Sequence, residues 1–159
     1  MKIARWCWMA CLLAASLTEA NEELDASFAK TPLVIDSAGL GCYHFDTYLA
    51  LSRSQQSRGL MFVRELPEFT GMIFIYREAD IRSMWMKNTF IPLDMLFIDI
   101  DGSVVSVALD TEPLSLQSVQ SAAPAIAVLE LNAGVVSRLQ LGPGSRVLLS
   151  DIVLPGNND

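Results

Sequence analysis

Leu93-Asp94-Met95-Leu96-Phe97-Ile98-Asp99-Ile100, then Asp101-Gly102, then Ser103-Val104-Val105-Ser106-Val107-Ala108-Leu109: this stretch decides the fold. In an extended chain Leu93, Met95 and Phe97 point one way and Asp94, Leu96 and Ile98 the other. Both sides are mainly apolar, which suits a central strand covered on both faces. Asp-Gly between two apolar runs is a signal for a two-residue hairpin, because glycine takes the left-handed turn conformation without a Cβ clash.

Working outward, Leu33-Val34-Ile35 reads as a short strand. Tyr43 to Leu51 reads as a half-buried one, with Tyr43, Phe45 and Leu49 inward and His44, Asp46 and Tyr48 outward. Ser52-x-x-Gln55 is a capping-box pattern that predicts a short helix to about Arg58, with Gly59 as its stop. Gly71–Tyr76, Ile81–Lys87, Ala125–Ala133 and Arg146–Leu154 are further strand candidates, and Gly134–Leu141 is more helical. Many short strands with turn signals between them predict a mainly β, single-domain β-sandwich or small barrel, jelly-roll-like, with one or two short helices.

The first twenty residues read as a signal peptide. Lys2 and Arg5 precede an apolar run from Trp6 to Leu17, and Thr18-Glu19-Ala20 supplies small residues at −3 and −1 of a cleavage site. The run is too short for a stable membrane span. Residues 21–31 read as a mobile acidic leader, 32–155 as one globular domain and 156–159 as a polar tail. The expected location is periplasmic or secreted. A formal net charge of −7 with no basic cluster argues against nucleic acid as a partner. Of three cysteines, Cys7 and Cys11 fall in the signal and Cys42 is left alone, either as a buried apolar residue or as a thiol for a partner.

Chemistry concentrates in Trp85-Met86-Lys87-Asn88-Thr89 and Pro92-Leu93-Asp94. A cation, an amide and a carboxylate inside an apolar stretch need partners. Asp94 can be a turn-stabilising acceptor of backbone, Thr89 or Asn88 donors, or part of a ligand-facing cluster. Glu130 lies between Leu129 and Leu131, shares a strand face with Asn132, and has Lys87 or Arg58 as natural ion-pair partners. Asp94 and Glu130 together could serve as acid and base. Trp85 and Lys87 share a face at i, i+2, as in a sugar or small-ligand site. All five methionines beyond the signal fall between Met61 and Met95, which raises Cu(I) binding through thioethers. His44 and Cys42 are the only harder anchors, so no metal or other cofactor is assigned. No phosphate loop, nucleophile elbow or histidine-based metal motif is present.

These motifs resemble a known family. Arg58-Gly59-Leu60-Met61-Phe62, Leu66-Pro67, Gly71-Met72-Ile73-Phe74, Trp85–Thr89, Pro92-Leu93-Asp94, Phe97-Ile98-Asp99, Gly102 and Leu129-Glu130-Leu131-Asn132-Ala133-Gly134 are similar to the bacterial and archaeal domain of unknown function 192. The likeness runs from about Leu33 to Val153. It implies one β-rich domain and often a signal peptide, and it supplies no activity. Met84 stands where the family commonly has an aromatic, and Ala127 where it has a tyrosine or other bulky residue. The first functional expectation is a non-catalytic binding or accessory domain for a glycan, a small polar molecule or an envelope protein. Its ligand set is Arg58, Trp85, Lys87, Asn88, Thr89, Asp94, Glu130 and Asn132. The alternatives are an envelope polysaccharide hydrolase or lyase using paired carboxylates, and Met-rich copper binding.

Overall fold

The structure is a computed structural model that describes residues 22–148. The signal-like segment, the end of the expected last strand and the polar tail lie outside the described residues. In chain order the elements are α1 (22–27), β1 (Lys30–Asp36), β2 (Cys42–Ala50), α2 (Arg53–Arg58), β3 (Thr70–Asp80), β4 (Ser83–Met84), β5 (Leu93–Ile98), β6 (Val104–Thr111), β7 (Val119–Gln120), β8 (Ala125–Asn132), α3 (Val135–Leu139) and β9 (Arg146–Leu148). None of the described helices is long and apolar enough to cross a membrane.

Seven strands form one sheet in the order β6-β5-β8-β3-β2-β1-β9, while β4 and β7 pair separately. Every neighbouring pair in the large sheet is antiparallel except β2 and β3, which run parallel through the α2 crossover. The sheet curls until its ends approach. Ser103 bridges to Arg146, the Val104 amide donates to the Ser145 carbonyl at 3.0 Å, and the Val147 amide donates to Gly102 at 2.8 Å. The architecture is therefore a curled half-barrel rather than two stacked sheets.

The concave interior holds Leu33, Ile35, Phe45, Ile73, Ile75, Leu96, Ile98, Leu129, Leu131 and Val147, closed by Val135 and Val136 of α3. A second core lies on the other face. There Met72, Phe74, Met95, Phe97 and Val128 pack against Leu24, Phe28, Leu60, Val63, Leu66 and Met86. The double covering explains why β5 and β8 are apolar on both sides.

Several expectations change. The acidic stretch 22–31 is no mobile leader: Leu24 and Phe28 are buried, Glu23 pairs with Arg58 at 2.9 Å, and β1 begins at Lys30. Each such apolar side chain contributes about 1.5–3 kcal/mol when it leaves water. Tyr48, expected to face outward, is buried in the second core with its phenol donating to Asp25 at 2.8 Å. Cys42 is exposed and unbridged. Only Ser83–Met84 of the Ile81–Lys87 run is strand. The chain then turns through Asn88 at φ 56°, a conformation asparagine tolerates, and the Thr89 amide donates to Met86 at 3.0 Å.

The local signals hold where the partner is near in sequence. Ser52 and Gln55 form the reciprocal capping box, and Gly59 ends α2 at φ 48°. The Asp101-Gly102 hairpin is present, but its loop spans three residues. Asp99 and Ser103 close it, and Gly102 takes the left-handed position. A Cβ there would strike the Val147 carbonyl, so this glycine also lets β9 dock on the hairpin.

Candidate functional site

The two buried carboxylates lie on opposite faces of the sheet. Antiparallel partners share a face, and the register sets Asp94 opposite Leu131 but Met95 opposite Glu130. Asp94 therefore belongs to the barrel interior and Glu130 to the outer layer. The expected acid–base pair is not formed, which removes the geometric basis of a two-carboxylate hydrolase.

Asp94 is fully buried and satisfied by backbone donors. One oxygen accepts from the Asp110 amide at 2.9 Å, the other from the Val136 amide at 3.0 Å. The first donor sits on a bulge where β6 slips against β5 and Asp110 adopts φ 48°. The second is in the opening turn of α3, whose N-cap is Gly134 and so has no side chain to offer. Asp94 supplies that missing cap from another strand. Neither Lys87, Asn88 nor Thr89 reaches it by a hydrogen bond.

Glu130 is also buried but differs in face and in partners. It is 4% exposed, flanked in register by Met72 on β3 and Met95 on β5. Neither expected cation neutralises it: Arg58 pairs with Glu23, and Lys87 forms no ion pair among the described residues. Burial alone pushes its carboxyl up to about 8. Among the described residues no fully enclosed side-chain nitrogen or oxygen lacks a partner. No group among the described residues donates a hydrogen bond to the Glu130 carboxyl, so its oxygens border open space.

That space is a cavity of about 100 Å³ between α2, the end of β3 and the 83–89 segment. Arg58, Trp85, Lys87, Thr89 and Glu130 all line it, together with Tyr76, Met61 and Met84. Trp85 is 51% exposed, and the Lys87 ammonium lies 5.2 Å from its ring centroid. Tyr76 shares the outer face with Met72 and Phe74. Its phenol donates to the Met84 thioether at 3.6 Å, and burial pushes it up to about 12. Trp85, Met84 and Ser83 also border a second, more open depression of about 280 Å³ with Leu116 and Ser118.

Three expected ligand residues do other work. Asp94 caps α3. Asn132 donates to the Leu66 and Pro67 carbonyls, at 2.8 and 3.2 Å, and pins that loop over the outer core. Asn88 donates to the Met61 thioether at 3.8 Å while its carbonyl accepts from Phe62 at 2.8 Å. Thr89 is buried, and its hydroxyl donates to the Lys87 carbonyl at 3.4 Å. The methionines gather around Glu130, but Met72, Met86 and Met95 are enclosed, and Met86 accepts from Thr111. His44 and Cys42 line no part of the cavity, and no metal-binding group of three or more His, Cys, Asp or Glu occurs among the described residues.

A curled β-sheet with a small polar cavity under its outer loops defines the class. The chain belongs to the family of domain of unknown function 192, described as "Uncharacterized ACR", whose model matches residues 34–149. Two solved structures are similar. One, from Sinorhizobium meliloti 1021 and provisionally described as a transcription regulator, is 39% identical with a TM-score of 0.75, covering 77% of this chain and 95% of its own. The other, from Novosphingobium aromaticivorans DSM 12444 and of unknown function, is 37% identical with a TM-score of 0.72, covering 75% and 84%. No curated protein matches. Of the two departures from the family pattern, Met84 lines the cavity, whereas Ala127 faces the barrel interior.

Proposed function

We propose that this protein is an exported, non-catalytic binding or accessory domain, and that its site is the cavity floored by Glu130. The carrying observation is the buried carboxyl of Glu130, which borders a cavity and has no hydrogen-bond or ion-pair partner among the described residues. A buried polar group left bare costs about 1–3 kcal/mol. A fold that keeps one at the base of a cavity under a half-exposed tryptophan is suited to a ligand that completes it. Asp94 on the opposite face leaves Glu130 without a second carboxylate, which favours binding over glycoside cleavage. The regulator description of the S. meliloti protein is not carried over, because a chain of net charge −7 repels nucleic acid.

Export rests on the N-terminal pattern alone. Cell fractionation with N-terminal sequencing tests it, the expected start being residue 21. Binding is tested by thermal unfolding of the whole chain with a panel of envelope sugars and small polar molecules. A ligand at a hundred times its Kd adds about 2.7 kcal/mol and raises the midpoint by several degrees. The Glu130→Leu variant is expected to fold and to lose the response. A panel that moves neither protein would contradict the reading.

A further inference from the structure

The charges around the cavity narrow the ligand. Three elements around Glu130 each contribute one ionisable group to the cavity wall, Arg58 from the end of α2, Tyr76 from β3 and Lys87 from the 83–89 segment, while β5 sets only Met95 beside it. Arg58 is already neutralised by Glu23. The Tyr76 phenol stays uncharged across the ordinary pH range. Lys87 is exposed, and among the described residues it has no acidic partner, only the Trp85 ring. Glu130 is held as a neutral acid by its burial below about pH 8.

At neutral pH the cavity is therefore not acidic, although the chain as a whole is. It presents one uncompensated ammonium at the mouth and a neutral carboxyl at the base. A protonated carboxyl donates one hydrogen bond and accepts another, which matches a hydroxyl or an acyl oxygen. The ammonium asks for an anion. Trp85, half exposed and shared by two adjoining depressions, offers an apolar wall to the C–H face of a ring. A volume of about 100 Å³ admits only the end of such a ligand, so the ring lies against Trp85 outside the cavity.

We infer that the cavity takes a sugar acid, with a hydroxyl at Glu130, the carboxylate at Lys87 and the ring against Trp85. The inference rests on the binding reading above and names its ligand class. It carries a pH dependence whose sign differs from that of a carboxylate–cation contact. The acid form of Glu130 is the binding form, and ionising it sets two negative charges against each other.

The test is isothermal titration of the whole chain with D-glucuronate, D-glucose and D-glucosamine between pH 6 and pH 9.5. Glucuronate is expected to bind best, with affinity falling about tenfold per pH unit above about pH 8. Glu130→Gln keeps a neutral hydrogen-bonding group and is expected to retain binding with that pH dependence removed. Lys87→Met is expected to lose at least tenfold for glucuronate while leaving the fold intact. Glucose binding as tightly as glucuronate, or glucosamine tighter, would overturn the acid assignment and leave the cavity as a site. Glucuronate affinity that rises with pH would also overturn it. Silence from all three sugars would overturn this inference. Binding elsewhere in the wider panel of polar molecules would still uphold the cavity as a site.

Discussion

Asp94 and Glu130 are both acidic, both buried, and both set in strands that are apolar on each side. One strand pairing separates them, and the register puts them on opposite faces of the sheet. Asp94 receives two backbone amides and closes both a bulge and a helix end. Glu130 receives none and borders a cavity. A carboxylate with donors on both oxygens is a structural ion, and removing it strands those donors. A carboxyl with no donors is a cost to the fold, and removing it relieves that cost. Burial therefore does not distinguish structure from function here; the identity of the hydrogen-bond partners does.

The comparison can be broken most forcefully at Asp94. Asp94→Ala leaves the buried Val136 amide and the part-buried Asp110 amide without their acceptor, and a loss of about 3 kcal/mol is expected. Urea unfolding measures it, and amide exchange should show α3 opening first. A loss under 1 kcal/mol would mean that the helix end has another acceptor. Glu130→Gln should act in the opposite sense. The folded carboxyl is raised from 4.5 to about 8, so the native state holds a proton that the unfolded state releases. The Glu130 contribution to stability is then greatest below about pH 4.5, declines as pH rises toward 8, and levels off above it. The variant should gain on the order of a few kcal/mol over wild type by pH 8 and nothing at pH 4, read from urea midpoints across that range.

Smaller effects sharpen the same contrast. A Cβ at Gly71 would lie 2.6 Å from the Glu130 carbonyl and 2.7 Å from a Leu131 methyl, so β3 runs hard against β8 on the interior side of the sheet. Gly71→Ala should cost about 1–3 kcal/mol, with the displacement read as shifts at both carboxyl-bearing strands in NMR spectra. Lys87 is exposed, and its ammonium lies over the Trp85 ring without an acidic partner among the described residues. Lys87→Ala should change stability by no more than about 0.5 kcal/mol, measured by thermal unfolding. A larger loss would mean that Lys87 supports Glu130 after all.

Elements whose determinants are close in sequence were legible from it. The Ser52–Gln55 box and the Asp101-Gly102 turn each involve residues within a few positions, and both form. The need for explanation at Asp94 and Glu130 was also legible, since an acid inside an apolar run is unusual anywhere. Their roles were not. The donors to Asp94 come from residues 16 and 42 positions away. Whether Asp94 and Glu130 meet depends on the β5–β8 register, and a slip of one residue would have put them on the same face. Arg58 was a natural partner for Glu130 while 21–31 read as a leader; residues 22–31 pack down and Glu23 takes the arginine. Tyr76 closes the expected Gly71–Tyr76 strand, but only the pairing of β3 with β8 sets it on the Glu130 face.

The most direct test of the difference between the two acids is a carbon-13 NMR titration of the Glu130 side-chain carboxyl in the folded protein. A midpoint near 8, unaffected by Lys87→Ala, is the predicted result. A midpoint at or below the ordinary glutamate value would mean that Glu130 already has a cation or donors in the folded protein. It would then be a second structural ion like Asp94, and the cavity beside it would have no unsatisfied group for a ligand to complete.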